Sequence, residues 1–85
     1  MVSRMTASEI ILYTHSMCSD SPKVRDWLLR RGIQFTERQI DKDADAAGDL
    51  QADTGDVVIP RVVAPAGVVT GFDPEMLEEL VGPSS

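Results

Sequence analysis

Residues Glu9 to Thr14, EIILYT, form a β-branched and aromatic run in which apolar residues follow one another instead of alternating with polar ones. A strand that is apolar on both faces belongs in the middle of a sheet, with a covering layer on each side. The chain has 85 residues, enough for one compact domain and too few for two, because a smaller unit buries too little surface to offset its ordering entropy. The run therefore implies one layered α/β domain, provided that the remaining sequence supplies helices for both faces.

The remaining sequence does so. In PKVRDWLLRR, from Pro22 to Arg31, Val24, Trp27 and Leu28 fall at helical spacing and Leu29 widens the stripe. Pro suits a first turn, while Arg30, Arg31 and then Gly32 suit a C-terminus. IQFTERQI, from Ile33 to Ile40, alternates in the manner of a second, partly exposed strand. DKDADAAGDLQADTG predicts a helix with Asp41 or Asp43 as N-cap, Ala44, Ala47 and Leu50 as a thin apolar face, and Gly55 as C-cap. Its interior Gly48 costs about 1 kcal/mol relative to Ala.

Two short strands follow, near Arg61 to Ala64 and Val68 to Thr70, joined by a turn at Pro65, Ala66 and Gly67. DPEMLEELVG then marks a last helix, with Asp73 as N-cap, Pro74 first, and Met76, Leu77, Leu80 and Val81 as its buried stripe. The order βαβαββα, with a right-handed crossover between the first two strands, predicts a four-stranded mixed sheet flanked by three helices. The domain is expected over residues 9–82, with tails at 1–8 and 83–85, and the closing GPSS is expected to fray. There are no internal repeats.

Charge excludes several functions. The net charge is −6 with a pI near 4.5, and the eight basic residues are scattered, so the cationic footprint that nucleic-acid binding needs is missing. No apolar run approaches the roughly 20 residues of a membrane span, and MVSRMTASE lacks the apolar stretch of a secretory signal. The expected location is the cytoplasm and the expected state a monomer. One cysteine and one histidine exclude an internal disulfide and argue against a structural zinc site, which takes about four such ligands.

That cysteine, Cys18, falls between the first strand and the first helix. A helix N-terminus presents unpaired N–H groups and partial positive charge, a setting that favours thiolate over thiol. The plain alternative is a buried filler. His15 lies three residues earlier, and its charged form would further favour a thiolate. A cysteine hydrolase would need a third group to orient the imidazole, and none is identifiable. Asp20 would act in the opposite sense if its carboxylate turned toward the sulfur.

Taken together these residues resemble the glutaredoxins of the thioredoxin superfamily, over about Ile10 to Val81. The carriers are a strand ending in YT, a Cys-x-x-Ser pattern (Cys18, Ser19, Asp20, Ser21), the segment TGDVVIPRVV, and TGFD. The resemblance implies a thioredoxin fold, a cis bond between Ile59 and Pro60, and glutathione as cosubstrate. Ile59 and Pro60 would meet its cysteinyl part, and Gly71, Phe72 and Asp73 its glutamyl end. A helix N-terminus is suited to a carboxylate, although Asp73 would equally serve as a simple cap.

Ser21 stands at the position of the second cysteine in dithiol members, which closes the two-thiol route and leaves one-thiol exchange, unless Ser21 only caps the helix. The implied activity is reduction of mixed disulfides in redox homeostasis, with glutathionylated or disulfide-bearing proteins as partners. Glutathione itself is exchangeable in this reading for another low-molecular-weight thiol. Family members commonly have a lysine at His15, an uncharged residue at Asp20 and a basic residue at Val57; Gln51 or Arg61 would have to replace them toward the glycine carboxylate, though each reads more simply as a surface residue. Members with CGFS bridge a [2Fe-2S] cluster between subunits, but Ser19 and Asp20 depart from that pattern, which leaves a cluster the minor alternative. The rival readings are a glutathione or iron–sulfur carrier and a catalytically weak interaction module.

Overall fold

The apolar run becomes the strand β1 (Ile11–Thr14), in which Leu12, Tyr13 and Thr14 are all buried. In the computed structural model, which describes residues 10–81, β1 is indeed interior to a sheet of order β2-β1-β3-β4. It pairs in parallel with β2 (Thr36–Gln39) and antiparallel with β3 (Arg61–Ala64), which pairs antiparallel with β4 (Gly67–Thr70). Glu9 and the two expected tails lie outside the described residues.

Side-chain alternation along β1 separates two layers. Leu12, with Val62 and Val69, faces the helices α1 (Ser21–Arg30) and α3 (Pro74–Val81), where Val24, Leu28, Leu77 and Val81 complete an apolar cluster. Tyr13 faces the opposite way, toward Ala46 and Leu50 of α2 (Ala46–Thr54). The expected mixed four-stranded sheet with three helices is what forms. Among the described residues no helix is long and apolar enough to cross a membrane.

Three boundaries and one burial expectation differ for local reasons. The segment from Ile33 to Ile40 is strand only over Thr36–Gln39. α1 closes with Gly32 at φ +70°, and the Gly32 and Ile33 amides donate to Leu29 and Leu28, a C-terminal motif that holds Ile33 at the helix end and off the ladder. The N-cap of α2 is Asp45, while the Asp43 carboxylate accepts from the Asp45 amide. Ala44 is therefore outside the helix and exposed. Gly55 caps its C-terminus in the left-handed conformation, as expected. The hairpin turn is shorter, since Gly67 already belongs to β4. In α3 Asp73 Oδ1 accepts from the Met76 amide at 3.2 Å, the predicted cap, but Met76 is 46% exposed beside the β4 edge, where no further strand among the described residues covers it.

Candidate functional site

Strand direction gathers the site. β1 runs toward His15, β3 starts from Pro60 beside it, and β4 returns to Gly71, so the three segments share one end of the sheet. Register makes this concrete: Tyr13 pairs with Arg61 and Arg61 with Thr70. The Gly71 amide donates to the Pro60 carbonyl at 2.8 Å. The Ile59–Pro60 bond is cis, as the resemblance implied.

Cys18 is half-buried in the loop between β1 and α1. The loop is held by its own amides. His15 N donates to Ser21 Oγ (3.4 Å), Ser16 N to Asp41 Oδ1 (3.1 Å), Met17 N to His15 Nδ1 (3.0 Å) and Cys18 N to the His15 carbonyl (3.1 Å). The hydrogen bonds from Ser16 hold the Asp41 carboxyl below the usual carboxylate range. Because Nδ1 of His15 accepts a hydrogen, the ring proton in this arrangement is on Nε2. Among the described residues no hydrogen bond joins His15 to the Cys18 sulfur; the imidazole braces the loop.

The two residues that bracket the Cys18 question are also placed. Asp20 turns to Lys23, its Oδ1 3.4 Å from Nζ, with both side chains solvated. Ser21 is buried, is the first residue of α1, and offers its hydroxyl to the His15 amide. Its side chain thus ties the loop and does not cap the helix.

On the other segments, Ile59 is half-buried against the Tyr13 cluster and Pro60 is buried. Gly71 has φ +79° with nothing near a hypothetical Cβ, so the requirement for glycine is conformational. Phe72 is 38% exposed and Asp73 is exposed. The Gly71 amide is already bonded to Pro60, and Phe72 and Asp73 form the exposed end of the turn.

Two groups escaped the sequence reading. Arg61, expected at the surface, is only 6% exposed. Its Nη1 bonds Thr54 Oγ1 (2.6 Å) and Asp56, and its Nε bonds Thr70 Oγ1 (3.0 Å). The guanidinium holds the Asp56 carboxyl below its usual range. The available signal was strand alternation, which puts Arg61 and Val63 on one face of β3. Gln51 is exposed on α2. The second group is Glu37, which accepts from Thr14 Oγ1 (2.9 Å) and from Arg25 Nε and Nη2 (2.7 and 2.6 Å). Arg25 holds this carboxyl low, with burial opposing. No cluster of three or more His, Cys, Asp or Glu residues arranged to hold a metal occurs among the described residues, and the single thiol beside the Asp20–Lys23 pair does not fit an iron–sulfur cluster held by this chain alone.

Comparison with known proteins agrees with this geometry. The family model described as Glutaredoxin matches residues 10–68. The glutaredoxin grx-1 from Archaeoglobus fulgidus is similar in fold, with 24% identity and a TM-score of 0.79 over 95% of this chain and 94% of that one. NrdH-redoxin from Escherichia coli, described as glutaredoxin-like with a thioredoxin-like activity profile, has 28% identity and a TM-score of 0.75, covering 89% and 97%. A buckwheat glutaredoxin solved with glutathione shares the fold at 16% identity and a TM-score of 0.65, covering 92% and 76%. The comparison with curated proteins finds no match.

Proposed function

Because this chain belongs to the glutaredoxin family, we propose that it is a one-thiol, glutathione-linked thiol–disulfide oxidoreductase whose nucleophile is Cys18. The observation that carries the reading is positional: the half-buried Cys18 sits at the β1–α1 junction, at the same sheet end as the cis Ile59–Pro60 bond and the Gly71–Asp73 turn. Ser21 stands where a second thiol would be needed for an internal disulfide.

In the first step Cys18 reacts as its thiolate with the glutathione sulfur of a protein–glutathione mixed disulfide. A bond forms between the two sulfurs, the protein thiolate leaves and takes up a proton, and the target is reduced. A second glutathione thiolate then attacks the glutathione sulfur on Cys18, giving oxidised glutathione and the free Cys18 thiolate. In sum, one protein–glutathione mixed disulfide and one free glutathione give one protein thiol and one oxidised glutathione. The Ile59 backbone aligns the cysteinyl part of glutathione, and the Phe72–Asp73 turn receives its glutamyl end. His15 shapes the loop. The setting proposed is the cytoplasm, with a monomeric protein acting on glutathionylated or disulfide-bearing partners.

The internal commitment of Arg61 favours one second reading, in which the same exchange uses a reductant without glutathione's glycine carboxylate. The test for both is an intact-mass experiment with oxidised glutathione. A fast adduct on Cys18, removed quickly by reduced glutathione and absent in Cys18→Ser, supports the first reading. Adduct formation no faster than on a free cysteine peptide would sink it.

A further inference from the structure

We infer that Arg61 is the positioning residue of the site: it binds no substrate and instead locks the Val57–Pro60 loop and the Gly71–Asp73 turn to the end of α2. The inference rests on the reading of Cys18 as nucleophile. Its observations are separate from Cys18, however, and concern the frame around it.

The guanidinium lies directly after the cis Ile59–Pro60 bond and is almost wholly enclosed. Nη1 reaches back to Thr54, the last residue of α2, and to Asp56 at the start of the loop; Nε reaches across the sheet to Thr70, the last residue of β4. Thr54 Oγ1 also bonds the Leu50 carbonyl at 2.7 Å, inside α2. One planar fork thus joins three segments, and the Pro60 to Gly71 backbone bond closes the same linkage from the other side. A flexible ammonium has no second arm at a fixed angle, so lysine cannot repeat the arrangement. Nε and both Nη1 hydrogens are thus committed to protein acceptors, which leaves Nη2 alone and removes the two-nitrogen fork with which a guanidinium grips a carboxylate such as that of glutathione's glycine.

The experiment compares wild type with Arg61→Lys and, should that variant fold poorly, Thr70→Val, which removes only the Nε partner. Kinetics use a glutathionylated peptide; the intrinsic reactivity of Cys18 is read separately with iodoacetamide, which needs neither segment. A positioning role predicts a KM for the peptide raised about tenfold or more, with the alkylation rate within about twofold of wild type and reduced protection of the Gly71 amide in hydrogen exchange. Equal falls in alkylation and exchange kinetics, tracking lost stability, would mean a merely structural role and overturn the inference. Repeating the kinetics with the glycine ethyl ester of glutathione on the peptide separates direct contact: if esterification costs wild type what Arg61→Lys costs on the free acid, and the variant ignores the ester, Arg61 touches the carboxylate and the inference fails. Unchanged Gly71 protection in Arg61→Lys overturns it as well. If protection falls while wild type shows no adduct with glutathione, the lock stands and the reading of Cys18 is what has failed.

Discussion

The two faces of the sheet are built differently. On the α1 and α3 side, Leu12, Val24, Leu28, Val62, Val69, Leu77 and Val81 form one buried apolar cluster. On the α2 side only Tyr13, Ala46 and Leu50 do so, and a shallow hollow of about 450 Å³, lined by Ile11, Asp53 and Val63 to Val68, stays open near the hairpin. Polar ties occupy this second face instead: Arg61 to Thr54, Asp56 and Thr70, Tyr13 to Asp53, and the Arg38 guanidinium 5.9 Å from the centre of the Tyr13 ring. Apolar burial stabilises without direction, whereas a forked donor fixes geometry. The first face therefore carries most of the stability, and the second sets where the Val57–Pro60 loop and the Gly71–Asp73 turn lie.

The largest expected effect follows from that division. Leu28→Ala empties a site enclosed by α1, α3 and the sheet, and is expected to cost about 3–5 kcal/mol in urea unfolding. Leu50→Ala lies in the smaller cluster, whose partly buried neighbours Ile11 and Val63 border the open hollow, and which is therefore freer to relax. Its expected cost is about 2–3 kcal/mol, because the penalty falls as the surroundings collapse into the space. Equal losses would break the comparison between faces.

The sequence made the apolar face legible and most of the polar face not. Val24, Leu28 and Leu77 announce themselves by helical spacing, and Leu12 by its place in an apolar run, because burial is a property of each residue's own pattern. Gly55, Asp73 and the cis bond at Pro60 were legible through caps and through family resemblance. Arg61 reads from the sequence as a surface cation, or as a partner for a substrate carboxylate, since its partners come from α2 and β4 and nothing local shows that three acceptors will converge on it. By sequence Asp43 and Asp41 are alternative caps for α2. In the fold Asp43 meets Arg38 and the Asp45 amide, while Asp41 holds Ser16 of the Cys18 loop. Met76 kept helical spacing but sits where the sheet ends. Cys18 was placed correctly between β1 and α1; the use of His15 Nδ1 as an acceptor within the loop was not foreseeable from its distance to Cys18.

The comparison can be sharpened at the edge where the first face also turns polar. Glu37 lies on β2 in register with Leu12 and bridges Thr14 and Arg25. Arg25 holds its carboxyl below the ordinary value of 4.5, so the unfolded chain takes up this proton at a higher pH than the folded one. The contribution is complete above about pH 5 and is lost as the pH falls from there through the lower folded value. Glu37→Gln is expected to cost about 1–2 kcal/mol at neutral pH and to flatten the acid limb of a stability-versus-pH curve. Asp41, Asp43 and Asp56, also held low, keep part of that limb. An unchanged curve would mean that the Arg25–Glu37 pair is solvated in solution.

The smallest effect tests whether the second face needs each of its ties or only the Arg61 fork. Tyr13 is fully buried, yet its hydroxyl reaches Asp53 Oδ2 at 3.3 Å, near the long end for such a bond. Asp53 is exposed, so water replaces the phenol when it is removed and no buried acceptor is orphaned. Tyr13→Phe is accordingly expected to cost only about 0.5–1 kcal/mol at neutral pH. Burial first, and Asp53 next, push the Tyr13 hydroxyl above its ordinary value of 10.0. The fold thus favours the protonated phenol, and this stabilisation, complete below that value, is lost as the pH rises from there through the higher folded value. The phenylalanine variant should therefore lose less stability than wild type on the alkaline side, measured as the urea midpoint between neutral and strongly basic pH. A cost near that of Leu50→Ala would instead make the Tyr13–Asp53 contact a second lock on the α2 face, comparable to the guanidinium of Arg61.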